Sequence, residues 1–298
     1  MCPGQGSQRP GMLADVPELD ALDRLLDAAE ALSGLELRTI EKSGSSEDLS
    51  DTRVAQPLLY LADWAWGATL MECGLSPAAV AGHSLGEFAA LTLAGVFSVE
   101  AGLELVVERS RLMATASAAT QGTMSAVLGM DSATIAAAID GIDGVWLAND
   151  NAPGQVVISG THDGVASATA ALGHAGARRI VPLAVSGAFH SPLMASAGEA
   201  FSQILGRADF SDASFPVLQN ADPEPTTDAV LIREKLARQI VSPVRWTETM
   251  QRLVAEGPVK LIECGPGTVL VGLAKRYEAI SAVSVSEDGI ESIVQEVS

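Results

Sequence analysis

Ser84 stands at the centre of Gly82-His83-Ser84-Leu85-Gly86-Glu87. Apolar Ala78-Ala79-Val80-Ala81 precedes this G-x-S-x-G pattern, and a helix-like run, Phe88-Ala89-Ala90-Leu91-Thr92-Leu93-Ala94, follows it. A serine on a sharp strand-to-helix turn projects its hydroxyl away from the sheet. Glycines two residues to either side permit the turn where a Cβ would clash. The first N–H groups of the new helix favour negative charge developing at the same spot. Making and breaking an acyl-serine needs these three features together.

A serine nucleophile needs a base, and the chain offers four histidines. His83 adjoins Ser84, and neighbours in a tight turn point apart, so it is expected to pack beneath the elbow as a structural ring. His162 and His174 fall in a polar, Ala-rich helical stretch and are expected to be solvated. His190 lies in Val185-Ser186-Gly187-Ala188-Phe189-His190-Ser191-Pro192, just past a predicted strand. The carboxyl ends of strands are where open α/β sheets place their sites. The 108 residues after His190 hold no further histidine, which departs from the hydrolase order of Ser, acid, then a His near the C-terminus. No acid partner is evident, but a backbone carbonyl can accept from the ring N–H and fix the tautomer.

Arg109 is the second clue. On a helix its neighbours three and four residues away are Leu105, Val106, Leu112 and Met113. A guanidinium ringed by apolar residues is costly unless it meets an anion, either an internal Asp or Glu or a bound carboxylate. Arg suits bidentate carboxylate recognition, so beside an acyl-serine it points to an acyl group carrying its own carboxylate. Arg111 has Glu108 next to it and reads as a surface residue. The segment Pro3-Gly4-Gln5-Gly6-Ser7-Gln8 is too short for a phosphate loop and lacks the Lys-Ser/Thr end. It is either a flexible terminus or a turn presenting a backbone N–H to an oxyanion, as a second donor beside that of Leu85.

The elements that would position these residues follow from periodicity. Residues 18–42 read as helical, 43–46 as a polar loop and 54–72 as a second helical run. After the strand–elbow–helix unit, Ser98 is a suitable N-cap for a helix over 99–117, which Gly122 breaks. Residues 123–186 follow β-α-β-β-α-β order: strands at 124–128, 145–148, 156–158 and 180–185, helices at 132–139 and 162–174, and a turn at 149–154. That order is ferredoxin-like. The expected fold is α/β: a large α/β subdomain, 1–122 and 187–298, and an inserted ferredoxin-like subdomain, 123–186. Strands are expected at 215–218 and 259–262, helices at 228–241 and 268–277, and a closing strand near 280–285.

At 298 residues and 48% hydrophobic, the chain can fill a sizeable aliphatic core. No apolar run reaches the ~18 residues that span a bilayer. The first six residues lack the charged and apolar regions of a secretory signal. Three scattered cysteines suggest neither a disulfide framework nor a zinc site and fit a cytoplasmic setting. A net charge of −19 repels nucleic acid and anionic membrane surfaces, so neither is an expected partner.

Taken in order, these segments resemble the malonyl-CoA:acyl-carrier-protein transacylases and the related acyltransferase domains of polyketide synthases. The matching pieces are Pro3 to Gln8, Val54-Ala55-Gln56-Pro57, Gly82 to Phe88, Glu108-Arg109-Ser110, Asn151 to Gly160, Gly187 to Met194, Ser242-Pro243-Val244-Arg245-Trp246 and Glu263-Cys264-Gly265-Pro266-Gly267. The resemblance implies Ser84 as nucleophile, His190 as base, the N–H groups of Gln5 and Leu85 as oxyanion hole, and Arg109 as clamp for the malonyl carboxylate. It also implies Gln56 as lining of the acyl pocket and backbone carbonyls between Gln239 and Ser242–Pro243 as holders of the base. Phe189 beside His190 resembles the malonyl rather than the methylmalonyl pattern. The implied fold is a large α/β hydrolase-like subdomain with a mostly parallel sheet, carrying a ferredoxin-like small one, and the implied partners are malonyl-CoA and an acyl carrier protein bearing phosphopantetheine. No resident cofactor or metal is implied, a monomer suffices, and the pathway is fatty acid or polyketide synthesis. Basic docking candidates are Arg178-Arg179, Arg207, Arg245 and Lys275-Arg276.

Two departures from the family carry expectations. Only Met1 and Cys2 precede Pro3, so the hydrophobic strand leading into this turn is expected to be missing, leaving the Gln5 donor without an obvious anchor. Ser242 stands where Asn is common, so a side-chain hydrogen bond to the base would differ. The alternatives are a serine esterase or thioesterase on the same elbow, and a catalytically silent acyltransferase-like scaffold.

Overall fold

The computed structural model describes residues 1–17 and 19–297. Its central sheet is assembled from short parallel pieces. Strand β1 (Val80–Ala81) pairs with β6 (Val217–Leu218), and β7 (Val259–Glu263) pairs with β8 (Ile280–Ser284), both in parallel. Met1 and Cys2 join the halves. Cys2 N–H donates to Ala81 O at 3.0 Å and Cys2 O accepts from His83 N–H at 3.0 Å, while Met1 bonds Ile262 O at 2.7 Å and Cys264 N–H at 2.8 Å. The expected gap in the sheet is therefore bridged by two residues, and the Gln5 turn leaves directly from a hydrogen-bonded strand position.

The helix Thr52–Glu72 runs through the main core, apolar nearly all round, as a fully buried helix must be. The predicted single helix over 18–42 is two, Leu22–Ser33 and Leu37–Ser43. Gly34 takes φ 69° and donates to Glu30 O, which closes the first. The next boundary is set by Gln121 in a left-handed conformation (φ 46°) rather than by Gly122, which already belongs to the following strand. The chain does not close on β8; two short helices, Val285–Asp288 and Ile290–Val297, follow it.

The inserted unit comprises β2 (Gly122–Leu128), β3 (Val145–Ala152), β4 (Gln155–Thr161) and β5 (Arg179–Pro182) in the order β3-β4-β2-β5, all antiparallel. This is the ferredoxin-like order. Its helices, Ser132–Ile139 and His162–His174, share a separate core of residues such as Ile135, Val156, Ile158 and Leu172. The opposite face supplies Met124, Ala148 and Val157 to the main core. Strand β3 runs on to Ala152, so the expected six-residue turn shrinks to Pro153-Gly154, and β3 is bulged between Leu147 and Asn149 and between Asp150 and Ala152. Bulges re-aim side chains, and here Asn149 and Asn151 face the cleft between the two units.

One core residue violates the usual pattern. Asp63, on the buried helix, is 0% exposed, and neither carboxylate oxygen has a hydrogen-bond partner among the described residues. It packs where a Cβ on Gly265 would overlap it. Burial and the Glu263 carboxylate hold its pKa well above the usual range, against the pull of the N-terminal amine. A folded pKa above the unfolded one leaves no penalty at low pH, where both states are protonated, and a growing penalty as pH rises past about 4. Replacement by the shape-matched Asp63→Leu is expected to stabilise the fold by about 1–3 kcal/mol near neutrality. The gain should shrink towards pH 4, and thermal unfolding of both proteins across pH 4–8 checks it.

Candidate active site

The elbow has the geometry its sequence demands. A Cβ on Gly82 would overlap the Gly86 backbone, and one on Gly86 would overlap the carbonyls of Cys2 and Pro3. The turn, the helix it opens (Gly86–Leu93) and the N-terminal segment therefore pack backbone to backbone. Ser84 sits at φ 50°, a strained conformation for a non-glycine residue. His83 is half-buried and borders the cleft, with a ring nitrogen 2.8 Å from Asn151 Oδ1 and its ring edge-on to Trp246 at 5.4 Å. His162 and His174 are exposed on the outer helix.

His190, also at positive φ (56°), brings Nε2 to 2.8 Å from Ser84 Oγ. Its Nδ1 lies 3.1 Å from Gln239 O and 3.2 Å from Ser242 O. Two carbonyls can only accept, so Nδ1 carries the proton and Nε2 is free to accept from the serine. The contact at 242 is made by the backbone, so exchanging Asn for Ser there leaves it intact. Burial, reinforced by the Arg109 cation, pushes the imidazole pKa down to about 3, against the two carbonyls that favour its protonated form. The ring is neutral at physiological pH.

Arg109, from the helix Val99–Thr120, is 1% exposed. Nη1 donates to Gln56 Oε1 at 2.7 Å, and Nη2 donates to Gln239 Oε1 at 2.9 Å and to Ser84 Oγ at 3.1 Å. Nε is buried without a hydrogen-bond partner among the described residues. Among the described residues no carboxylate forms an ion pair with it; Glu87 acts only at longer range. Burial pushes its pKa down to about 10, with Glu87 opposing. The internal-carboxylate alternative is thus not what the structure contains: a cation is held by neutral oxygens beside the serine hydroxyl. Arg111 pairs with Glu108 at the surface.

Gln5 and Leu85 both border the cleft, and their backbone N–H groups donate to no protein acceptor among the described residues. The Gln5 side chain is tied down at both ends, donating to Ser50 O at 3.0 Å and accepting from Thr52 Oγ1 at 3.1 Å. Thr52 Oγ1 in turn accepts from Gln56 Nε2 at 2.7 Å, linking the turn to the arginine. Phe189 and Met113 complete a cleft of about 470 Å³. Among the described residues no cluster of His, Cys, Asp and Glu is placed to hold a metal ion.

A family model described as the acyl transferase domain matches residues 1–287. The chain belongs to that family. Among its relatives, the malonyl CoA-acyl carrier protein transacylase of Synechocystis sp. is 44% identical over 92% of this chain and 91% of its own length. The enzyme of the same name from Bacillus subtilis is 40% identical over 98% and 95%. A malonyl-transacylase solved in complex with a type II PKS acyl-carrier protein superposes with a TM-score of 0.92 at 37% identity, covering 99% of this chain and 97% of that one. The fold is the two-subdomain α/β fold of the acyltransferases.

Three groups packed around the acyltransferase elbow escape sequence reasoning. The Gln239 side chain does more than its backbone: Oε1 takes Arg109 and Nε2 donates to Ser84 O at 2.8 Å. Asn220 and Glu87 brace the elbow from behind. The available signal was Gln219-Asn220, a polar pair at the carboxyl end of a strand. Of the basic candidates, Arg245 is paired with Glu248 and Arg276 donates to Pro153 O, whereas Arg178, Arg179, Arg207 and Lys275 are exposed.

Proposed function

We infer that this acyltransferase moves a malonyl group from malonyl-CoA to the phosphopantetheine thiol of an acyl carrier protein, in fatty acid or polyketide synthesis, through a malonyl-Ser84 intermediate. The observation that carries the reading is Arg109: a buried cation with no carboxylate partner among the described residues, 3.1 Å from Ser84 Oγ. A bound malonyl carboxylate supplies the missing anion.

His190 Nε2 takes the Ser84 proton as Oγ attacks the thioester carbonyl. The N–H groups of Gln5 and Leu85 receive the oxyanion, at about 3–4 kcal/mol for each donor in known holes. The tetrahedral intermediate collapses, the C–S bond breaks, and His190 returns the proton to the leaving CoA sulfur. In the second half the carrier thiol gives its proton to His190, attacks the malonyl-serine and regenerates the Ser84 hydroxyl. Gln56 fixes the guanidinium while Phe189 walls the acyl end. No permanently bound cofactor takes part. We take 1–122 with 187–298 as the large unit and 123–186 as the insertion, acting as a monomer in the cytoplasm. Free Cys2, Cys73 and Cys264 suit a reducing compartment.

Intact mass spectrometry after mixing with malonyl-CoA alone tests the reading. The expected result is a single malonyl adduct that persists, is absent from Ser84→Ala, and is discharged by added carrier protein. Rapid release of free malonate would favour the esterase reading, and no adduct at all the silent scaffold.

A further inference from the structure

We propose that Asn220 is a positioning residue whose side-chain amide holds Ser84 in its strained turn; this rests on the reading of Ser84 as nucleophile. The parallel ladder between β1 and β6 ends at the pair Ala81 and Leu218, because the backbone turns away at Gly82. Two residues past Leu218, Asn220 continues it with a side chain. Its Oδ1 accepts from Ser84 N–H at 2.6 Å, and its Nδ2 donates to Gly82 O at 2.6 Å. One planar amide thus spans the elbow like a peptide of a neighbouring strand.

Asn220 is itself fixed. Its backbone N–H donates to Glu87 Oε2 at 2.8 Å, and Gln219 Nε2 donates to Glu87 Oε1 at 3.0 Å. Glu87 is 0% exposed and stands in the first turn of the elbow helix, where the helix dipole favours a carboxylate. The hydrogen bonds therefore form a closed circuit: elbow helix to Glu87, Glu87 to Asn220, Asn220 back to Ser84. The circuit has two consequences. A non-glycine residue at φ 50° persists only where its surroundings over-determine it, and Asn220 supplies the only bond to the Ser84 N–H among the described residues. With that N–H occupied, the serine cannot use its own amide for the oxyanion, which falls to Gln5 and Leu85.

Asparagine is the side chain that both accepts and donates here, which makes Asn220→Asp diagnostic. As a carboxylate it still accepts from Ser84 but sets a negative oxygen against Gly82 O. As a carboxylic acid it regains the donor. Burial against a carbonyl raises its pKa into a measurable range. The expected result for single-turnover malonylation is a loss on the order of 100-fold at pH 8. About tenfold or more of it should return as pH falls to 5, with KM for malonyl-CoA unchanged within about threefold. Asn220→Ala should show the loss without the acid recovery. Glu87→Gln, which keeps the packing and disturbs only the holder, should lower kcat with KM retained and likewise show no recovery. An Asn220→Asp profile parallel to that of the unmodified protein would overturn the proposal. So would parent-like loading by folded Asn220→Ala or, should neither Asn220 variant fold, by folded Glu87→Gln. The unmodified protein run alongside separates the two claims: if it forms no Ser84 adduct, the nucleophile reading fails and not the positioning one.

Discussion

Arg109→Ala is expected to lower kcat/KM for malonyl-CoA by about 10²–10⁴-fold while acetyl-CoA loading holds or improves. The guanidinium is held by Gln56 Oε1 and Gln239 Oε1, which orient it but do not neutralise it. Malonyl transfer completes an otherwise unpaired buried charge. Removing one partner of a buried charge pair costs about 3–5 kcal/mol, the range that sets the expected loss. Acetyl-CoA brings no anion, so with Arg109 present it must bind beside an uncompensated cation; the Ala variant removes that penalty. Arg109→Lys should fall between the two, because one ammonium cannot span Gln56, Gln239 and Ser84 as a planar fork does. The decisive measurement is the ratio of kcat/KM for malonyl-CoA to that for acetyl-CoA in each protein. An unchanged ratio would remove Arg109 from the clamp role.

The residues that the sequence made visible are those whose chemistry is rare or whose neighbours are close in the chain. Ser84 announced itself by flanking glycines, Arg109 by apolar neighbours at helical spacing, His190 by its place beyond a strand, and the insertion by its strand order. Residues braced from far away were silent. Asn220 meets Ser84 across 136 positions, and Gln239 meets it across 155. Neither pairing leaves a periodicity or a local motif. The link made by Met1 and Cys2 was illegible for a different reason. Two residues cannot display the alternation that marks a strand, and their place is set by backbone hydrogen bonds to β1 and to β7 and its end. Gly34 was legible in principle, since a glycine inside a helical pattern is a natural left-handed cap, but the leucines on both sides sustained one period. Asp63 ran against the pattern altogether: a carboxylate within an apolar helical run reads as a solvent-facing position, and the structure buries it.

His190 should keep the acylation step running into acid. A general base fails when it is protonated, so a lowered pKa moves the acid limb of the rate profile to lower pH. In the free protein burial, reinforced by the nearby Arg109 cation, pushes the imidazole down to about 3, against the two neutral carbonyls that hold its Nδ1. The acid limb of kcat/KM for malonyl-CoA, which reports the free protein, is therefore expected well below the ordinary histidine value of about 6.5. Binding malonyl-CoA places a carboxylate on Arg109 and cancels part of the field that holds the imidazole down. The limb of single-turnover acylation at saturating malonyl-CoA, which reports the complex, should consequently lie at higher pH than that of kcat/KM. Acetyl-CoA brings no such anion, so for it the two limbs should nearly coincide. His190→Ala should lower acylation about 10²–10⁴-fold and abolish both limbs, while the Gln5 and Leu85 donors remain in place. A kcat/KM limb at or above pH 6.5 would show that Arg109 and burial do not control the base, and equal malonyl limbs would show that the substrate carboxylate does not reach the guanidinium.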